Sequence, residues 1–280
     1  MTRNRPREVS VVLQFRFAAR SETGRVRANN EDAGFAGPYL LCVADGVGGA
    51  EAGEVASATT TYVVSARALA HPGHEPGRLL AAATREAHAQ IAAGIAAEPG
   101  RAGMATTLTA VLTDGIHTAL AQVGDSRAYL VRDGEVSQLS HDQTLVQAMV
   151  DSGQLTAAQA AASPYRNVVL HAVDGEHVPE PDLLLLDLHP GDRLPLCSDG
   201  VSDVLSPTAI GRALAVRSRS VAVDRLVLGA LDGGSRDNVT AVVADVVDAP
   251  AIAANGRVLG AAVDLANVVD PVAVRPLRSA

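Results

Sequence analysis

Carboxylate side chains stand at the ends of apolar runs at several points along this 280-residue sequence. Asp45 follows the run LLCVA and Asp199 follows LPLCS, and a glycine comes directly after each. The sequence contains six Asp-Gly pairs, and such a pair most often forms a turn between two strands. No second alternating run closely follows Asp45 or Asp199, so we expect strands to deliver these two carboxylates to the rim of a sheet.

Further acidic residues have comparable settings. They are Glu31 and Asp32 in NNED, Asp125 in VGDSR, Asp203 four residues after Asp199, and Asp237 in SRDNVT. Each of them alone is most simply a solvated loop carboxylate or an Asx turn. Together, with no His or Cys ligands nearby, they favour an all-oxygen site of the kind that Mg²⁺ and Mn²⁺ prefer. A cation would also relieve the repulsion between unpaired carboxylates that are held close together.

The sequence argues against the other common hydrolase chemistries. A cysteine phosphatase needs an Arg a few residues beyond its nucleophile, and neither Cys42 nor Cys197 has one. The GxSxG elbow of serine hydrolases does not occur, because GDSRA lacks the closing glycine. The eight His are scattered, with no HExxH or HxH pattern, which argues against a zinc hydrolase.

The charge composition excludes further classes. The chain has 31 acidic and 23 basic residues and a formal net charge of −8, whereas nucleic-acid-binding domains normally carry a basic patch. All of the basic residues are Arg and none is Lys. P-loop NTPases, protein kinases and Schiff-base enzymes each require a Lys, so we expect none of these activities.

The cysteines and the apolar segments of the sequence indicate the cellular compartment. Cys42 and Cys197 lie in apolar runs, where buried free thiols are the simplest interpretation. The segment MTRNRPREVS lacks the apolar stretch of a signal peptide. No run of about 18 apolar residues is present to span a membrane. We therefore expect a cytoplasmic protein that does not associate with a membrane.

Hydrophobic periodicity predicts the strands and helices that would position these carboxylates. Hydrophobic residues make up 48% of the chain and aromatic residues only 2%, so the core must consist of Val, Leu, Ile and Ala. Strict alternation from Val9 to Phe17 predicts a strand. Further strands are predicted at 39–44, 104–113, 116–123, 128–132, 135–139, 182–188, 193–198 and 239–247, and helices at 50–70, 78–97, 143–162, 207–216 and 220–231. Pro195 predicts an edge strand or a bulge.

The order of these elements predicts an α+β fold with antiparallel sheets, because hairpins and helices are segregated along the chain. Asp114-Gly115 and Asp133-Gly134 predict two hairpin turns. The helical pattern at 143–162 breaks at Ser152-Gly153, and an irregular segment follows, so we predict a mobile flap over about 151–181. The segment 249–280 is poor in charge and is treated as a C-terminal tail of unknown structure after a domain at 9–248.

Seven stretches, taken in order, resemble the motifs of the type 2C protein phosphatases, the metal-dependent Ser/Thr phosphatase family. They are GRVRANNEDA, VADGVGG, GEVAS, ATTLTAVL, QVGDSRAYLVRDG, DRLPLCSDG and SRDNVTAVVADV. These motifs have the family's ordinary spacing and span nearly the whole chain before the tail. The resemblance is to the bacterial branch, whose members typically oppose Ser/Thr protein kinases. It implies a central antiparallel β-sandwich flanked by α-helices on both sides.

The resemblance also implies a set of site residues. Asp45 would bridge two divalent ions, Mn²⁺ or Mg²⁺, and Asp199 and Asp237 would complete one of the two metal sites. The Gly46 carbonyl and Glu31, partly through water, would complete the other site.

Roles around those two ions are implied as well. Arg27 would bind the substrate phosphate. Asp125, together with Asp203 or Asp199, would hold a third ion. Asp32 and Asn238 would lie just outside the metal ligands, and Asp32 would orient waters there.

The activity implied is hydrolysis of phosphoserine and phosphothreonine on proteins, by a water that bridges two metal ions. The implied partners are phosphorylated proteins, a Ser/Thr kinase and the substrates of that kinase. Val47 stands where eukaryotic members have a His proposed to protonate the leaving group, so the general acid is unassigned. Two alternatives stay open: a phosphoprotein-binding regulatory module with little turnover, and a phosphatase dedicated to one regulatory partner such as an anti-anti-sigma factor.

Overall fold

The computed structural model describes residues 11–47 and 52–274. The strands of the described chain are β1 Val11–Glu22, β2 Asp32–Ala36, β3 Leu40–Val47, β4 Ala105–Thr106, β5 Leu108–Thr113, β6 Thr118–Val123, β7 Arg127–Arg132, β8 Glu135–Gln138, β9 Asp182–Leu186, β10 Arg193–Cys197, β11 Val239–Pro250 and β12 Arg257–Gly260. The helices are α1 Gly53–Ala70, α2 Pro76–Ala97, α3 Leu145–Asp151, α4 Ala157–Ala161, α5 Asp199–Ser202, α6 Pro207–Leu214 and α7 Arg219–Asp232. Short 3₁₀ turns occur at Pro99–Arg101, Ala261–Val263 and Leu265–Asn267.

Two antiparallel sheets are stacked face to face. The first sheet has the strand order β1-β11-β10-β7-β8, and the second has the order β12-β2-β3-β5-β6-β9, with β4 also paired to β3. Helices α1 and α2 cover the second sheet, and α6 and α7 cover the first. The predicted α+β fold, a β-sandwich between helical layers, is therefore confirmed.

Aliphatic side chains fill three apolar layers. Between the two sheets lie Leu41, Val43, Leu120, Leu194 and Val242, among others, all of them buried. The other two layers separate each sheet from its helices. Because successive strand residues point to opposite faces, a strand that is covered on both sides reads as a continuous apolar run, as LLCVA in β3 does.

Strand β1 extends beyond the alternating segment that predicted it. Leu13 and Phe15 are buried between the sheets as the alternation indicates, whereas Val11 is 61% exposed and Val9 lies outside the described residues. The strand continues to Glu22 because it pairs with β11 along its whole described length.

Both predicted Asp-Gly hairpin turns are confirmed. Asp114-Gly115 joins β5 to β6, and Asp133-Gly134 joins β7 to β8. The φ angles of Asp133 and Gly134 are 53° and 84°, the left-handed geometry that a two-residue hairpin turn requires.

The prediction that Pro195 marks an edge strand or a bulge is wrong. Strand β10 lies in the interior of its sheet, between β11 and β7. Its pairing with β7 keeps one register from Arg193 to Cys197, so the strand contains no bulge. Pairs with β7 are missing only at Leu194 and Pro195, so a local gap in the ladder accommodates the missing proline N–H, while pairing with β11 is continuous.

The predicted flap and the segment after β11 both pair with the β-sandwich. The helical pattern at 143–162 forms α3 and α4, and the chain that follows is tied to the core by the isolated bridges Thr106 to Val173 and Thr144 to Val169. In the segment after β11, strand β12 pairs with β2, and Val268 is buried.

Candidate metal centre

Four acidic residues predicted from the sequence meet at one end of the sandwich. Asp32 begins β2 and lies opposite Asp45 near the end of β3. In the other sheet, β10 ends two residues before Asp199, and its antiparallel neighbour β11 begins two residues after Asp237. Antiparallel pairing places the end of one strand beside the start of the next, so each pair of carboxylates shares an edge. Ser198, directly before Asp199, donates to Asp32 Oδ2 at 2.8 Å, so the two edges converge. The charges of Asp32, Asp199 and Asp237 accordingly raise the pKa of Asp45.

Two threonines fix the backbone of Asp45. The Asp45 N–H donates to Thr107 Oγ1 at 3.0 Å, and the Asp45 carbonyl accepts from Thr106 Oγ1 at 2.8 Å and from the Thr107 N–H at 2.8 Å. Both threonines are fully buried. The main chain that carries the Asp45 carboxylate is therefore held in one position.

Close backbone approach explains why glycine follows Asp45 and Asp199. A Cβ on Gly46 would lie 2.6 Å from the first residue of α1 and 2.9 Å from the carbonyl oxygen of Glu31. A Cβ on Gly200 would lie 1.9 Å from the carbonyl oxygen of Asn238. These two Asp-Gly pairs are therefore packing sites at the centre and not hairpin turns.

Burial and like charge raise the pKa of the clustered carboxyl groups. Burial is the larger cause at Asp45, whose pKa lies well above its usual value, and neighbouring carboxylates add to the effect. Burial also raises the pKa of Asp199 to about 6, with the charge of Asp203 adding to it. The pKa of Asp125 rises to about 7, first through burial and then through the charge of Asp199.

Asp32 is buried beneath this cluster, and only one of its carboxylate oxygens has a hydrogen-bond partner. Its Oδ2 accepts from Ser198 Oγ at 2.8 Å, and Ser198 Oγ in turn accepts from the Thr240 N–H at 3.1 Å. Burial raises the pKa of Asp32 to about 7, although the hydrogen bond from Ser198 opposes that rise. Among the described residues, Asp32 Oδ1 and Asp199 Oδ1 are buried without a hydrogen-bond partner.

Asn238 ties the loop before β2 to the start of β11. Its Oδ1 accepts from the Glu31 N–H at 2.8 Å, and its Nδ2 donates to the carbonyls of Thr23 and Asn29 at 2.8 and 2.9 Å. The residue is only 3% exposed. Three hydrogen bonds from one buried amide therefore set the position of the loop that carries Arg27 and Glu31.

Arg27 is directed at the carboxylate cluster. Its Nη2 donates to Asp237 Oδ2 at 2.8 Å, and its Nη1 lies 3.9 Å from Glu31 Oε2. The side chain is 47% exposed, so one side of the guanidinium is open to solvent. An arginine held at the edge of an acidic cluster can offer its remaining N–H groups to a phosphate.

Asp125 and Asp203 line a neighbouring cavity of about 400 Å³ that also includes Asp199. Helices α3 and α4 form one of its walls. Asp203 Oδ2 lies 3.4 Å from Arg166 Nε, so the segment after α4 reaches this cavity.

The donor set fits hard divalent cations, although the protein side chains do not form a closed cage. Within 11–47 and 52–274, no three or more His, Cys, Asp or Glu side chains are grouped so that they could hold a metal ion. The Asp237 carboxylate is engaged by Arg27, and Asp32 is engaged by Ser198. The fit rests instead on the chemistry of the donors, which are all oxygen, and on the orphaned oxygens of Asp32 and Asp199.

Both cysteines are free and buried, as predicted. Burial raises the pKa of each thiol to about 12. A nucleophilic cysteine requires a lowered pKa, so neither Cys42 nor Cys197 is suited to attack phosphorus.

Sequence reasoning missed the hydroxyl and amide groups that support the carboxylates. Thr106, Thr107 and Ser198 were not singled out, and nothing in their side chains alone marks them as functional. The available signal was position, since each lies beside an apolar strand end within one of the seven motifs, and Ser198 directly precedes the candidate ligand Asp199. Buried hydroxyls at such places need partners, and the backbone and carboxylate of an acidic residue supply them.

Metal affinity at this centre is expected to weaken as the pH falls from 8 to 6. A metal ion must displace the protons that Asp45, Asp125 and Asp199 hold because their pKa values are raised. Without metal, the same shifts favour the folded state at low pH. Their contribution to the free energy of unfolding is present in full below the pKa of 3.8 that the carboxyl groups have in the unfolded chain. It is lost as the pH rises through the pKa values of about 6 to 7 that Asp199 and Asp125 have in the folded protein.

Calorimetric titration of Mn²⁺ at pH 6.5, in two buffers with different ionisation enthalpies, counts the protons released. We expect at least about one proton per protein. Release of no protons, together with an affinity that does not change between pH 6 and pH 8, would contradict the assignment.

The model of the family described as protein phosphatase 2C matches residues 25–227. This match covers well over half of the chain and includes the loop of Arg27, strands β2 and β3, and Asp199. The chain belongs to the protein phosphatase 2C family.

Individual relatives give the same result. The serine/threonine protein phosphatase PstP of Mycobacterium tuberculosis is 47% identical over 241 residues, which cover 85% of this chain and 46% of PstP. The serine/threonine phosphatase stp of Listeria welshimeri is 31% identical over 243 residues, which cover 81% of this chain and 94% of that protein. The chain thus spans about half the length of PstP.

A solved relative has the same fold. The crystal structure of the catalytic domain of PstP in complex with two manganese ions aligns with a TM-score of 0.79 at 45% identity. The alignment covers 84% of this chain and 100% of that one. Separately, the described residues include no helix that is both long enough and apolar enough to cross a bilayer.

Proposed function

We propose that this chain is a metal-dependent phosphatase that removes phosphate from serine and threonine residues of proteins. The observation that carries the proposal is the convergence of Asp45, Asp199 and Asp237 at one end of the sandwich, with Arg27 beside them. Membership of the protein phosphatase 2C family supports it, as does the relative that was solved with two manganese ions.

The residues that would hold two Mn²⁺ or Mg²⁺ ions fall into two overlapping sets. Asp45, Asp199 and Asp237 form one set, and Asp45, the Gly46 carbonyl and Glu31 form the other. Ions bound there supply a nucleophilic water near neutral pH and offset charge on the phosphoryl oxygens. The fixed backbone of Asp45 supports its role as the residue shared by the two sets.

A third ion would be held by Asp125 with Asp203 or Asp199, all of which line the same cavity. Asp32 and Asn238 would contact the metal ligands without binding the ions themselves. Asp32 adds negative charge beneath Asp45, and Asn238 fixes the main chain of Glu31.

Arg27 would bind the phosphoryl group of the substrate. In this structure its guanidinium pairs with Asp237, one of the candidate metal ligands. A cation on Asp237 would compete with that ion pair and free N–H groups of Arg27 for the planar, bidentate contact that arginine makes with phosphate. Metal loading and phosphate binding are thereby linked through one residue pair.

The partners would be phosphorylated proteins, in particular a Ser/Thr kinase and its substrates, and the activity would lie in the cytoplasm. The support is the set of bacterial Ser/Thr phosphatases among the relatives and the two free cysteines, which suit a reducing compartment. We take 9–248 as the catalytic domain, 151–181 as its flap, and 249–280 as a tail. The contact of Arg166 with Asp203 supports a flap that borders the centre.

The function is tested by Mn²⁺-dependent hydrolysis of a phosphothreonine peptide, measured for the wild type and for Arg27→Ala. The substitution is expected to lower kcat/KM by about 10²-fold, because a charge-assisted contact to phosphate is lost. The Mn²⁺ concentration for half-maximal activity should stay the same or fall, because Asp237 loses a competing partner. Arg25→Ala is the matched control, since Arg25 is an exposed arginine two positions away that pairs with Asp232.

Three outcomes would contradict this proposal. No turnover in excess Mn²⁺ despite tight phosphopeptide binding would favour a regulatory binding module. Equal losses from Arg25→Ala and Arg27→Ala would remove the phosphate role of Arg27. Activity on only one regulatory protein would favour a dedicated phosphatase over one that acts on many kinase substrates.

A further inference from the structure

Strand β9 leaves an open edge on the second sheet. It is the outermost strand there, and among the described residues it pairs only with β6. The backbone N–H and C=O groups on its outer side are therefore available to another strand. Its sequence, DLLLL, contains no Pro, Lys or Arg, which are the residues that commonly protect such an edge.

The leucines of β9 are exposed on both faces of the strand. Leu183, Leu184 and Leu185 are 49%, 45% and 75% exposed. Leu183 and Leu185 lie opposite two alanines of β6 that face the helical layer, whereas Leu184 lies opposite Leu120, which faces the inside of the sandwich. Three adjacent exposed leucines on an open edge form an unusually apolar surface for a strand in water.

Two of the other three outer strands, β8 and β12, are built differently. Strand β8, at one end of the first sheet, has the polar sequence EVSQ. Strand β12, at the far end of the second sheet, spans four residues that include Arg257 and Gly260. Short, charged or polar edges of this kind resist pairing with other chains. β9 lacks that protection.

Carboxylates flank the leucines at both ends. Glu180 and Asp182 precede them, and Asp187 follows them with its side chain 89% exposed. The Asp187 carboxylate lies 3.4 Å from His189 Nε2, and Arg132 donates to the backbone carbonyl of Asp187 at 2.8 Å. An incoming strand therefore meets an apolar centre and negative charge at either end.

We propose that β9 is a docking strand for an extended segment of a partner protein, apolar at alternating positions and carrying Lys or Arg at both ends. Backbone hydrogen bonds along the open edge would provide affinity. Leu183 and Leu185 would select apolar side chains on one face, and the terminal carboxylates would select basic flanks.

A second copy of this chain suits the edge poorly. Antiparallel pairing of two β9 strands centred between Leu184 and Leu185 places Asp182 of one copy opposite Asp187 of the other, at both ends of the ladder. Like charges that meet in this way destabilise a strand pair. The net charge of −8 adds general repulsion between copies.

The test uses the whole chain and a fluorescein-labelled peptide, Lys-Lys-Val-Thr-Val-Thr-Val-Lys-Lys. Two companion peptides carry either Glu in place of every Lys or N-methyl groups on alternate backbone amides. Fluorescence anisotropy should show binding of the Lys peptide that is at least about tenfold tighter than that of either companion. The double variant L183T/L185T keeps β-forming residues but removes the apolar face, so it should bind the Lys peptide at least about tenfold more weakly.

Ile116→Thr is the matched control, because Ile116 is 79% exposed in the turn between β5 and β6 and lies off the edge. It should bind the Lys peptide as the wild type does, and hydrolysis of para-nitrophenyl phosphate should be unchanged in every variant. Equal binding of the Lys and Glu peptides, undiminished binding of the N-methylated peptide, or wild-type affinity in L183T/L185T would overturn the proposal. Sedimentation that shows a dimer abolished by L183T/L185T would also overturn it, in favour of a second copy as the occupant.

Discussion

Replacing Asp45 with Asn is expected to reduce Mn²⁺-dependent hydrolysis of phosphothreonine peptides by about 10³-fold or more, equivalent to about 4 kcal/mol of transition-state stabilisation. Asp45 belongs to both proposed sets of metal ligands, so its loss weakens the binding of both ions. An amide has the same shape as the carboxylate but lacks the charge that holds a hard cation. The backbone contacts with Thr106 and Thr107 involve main-chain atoms of Asp45 and remain available.

Thermal unfolding separates this effect from misfolding. Without metal at pH 8, Asp45→Asn should be at least as stable as the wild type, because burial and neighbouring carboxylates disfavour the charge on Asp45. Added Mn²⁺ should raise the Tm of the wild type more than that of the variant, because ligands stabilise the state that binds them.

Asp133→Asn is the matched control for Asp45→Asn. It changes another Asp-Gly pair, in a hairpin turn where Asn tolerates the φ of 53°. We expect it to keep wild-type activity. If Asp45→Asn and the wild type hydrolysed the peptide at equal rates, the proposed centre would be refuted.

Replacing Asn238 with Ala is expected to lower kcat/KM by about 10²-fold and the free energy of unfolding by about 2–4 kcal/mol. The substitution leaves the Glu31 N–H and the carbonyls of Thr23 and Asn29 without their partner. The loop that carries Arg27 and Glu31 then loses its anchor on β11. The Mn²⁺ concentration for half-maximal activity should rise, because Glu31 is no longer held near Gly46.

Asn267→Ala is a suitable comparison for Asn238→Ala. The side chain of Asn267 also donates to a backbone carbonyl, that of Ala261, but in the segment after β12. We expect a smaller loss of stability, about 1 kcal/mol, and no change in the Mn²⁺ requirement. A fall in stability without a change in the Mn²⁺ requirement of Asn238→Ala would show that Asn238 has a structural role only.

Periodicity predicted most of the fold, because this protein buries its strands and helices in regular layers. Alternation in β1 and the turn at Asp133-Gly134 are local signals, and the structure contains both elements. The interior position of Pro195 was not predictable, because a run of apolar residues does not show how many neighbours a strand has. Strand β12 was missed because a strand of four residues, the last of them a glycine, carries almost no periodic pattern.

The candidate site was harder to obtain from the sequence than the fold. Strand ends explained why Asp45 and Asp199 could reach a sheet rim, but convergence of residues from two sheets requires knowledge of how the sheets stack. The resemblance to a family supplied the grouping. It did not supply the Arg27 to Asp237 ion pair or the anchoring of the Glu31 loop by Asn238, because these depend on distances between side chains.

The pairing of β1 with β11 has a consequence for synthesis on the ribosome. The first described strand of the chain finds its partner only after nearly all of the other strands have been made. Asn238, which anchors the Glu31 loop, emerges at the same late stage. A nascent chain stalled before that point would have exposed sheet edges and an incomplete centre, so the proposed hydrolysis could begin only once translation has passed the β11 codons.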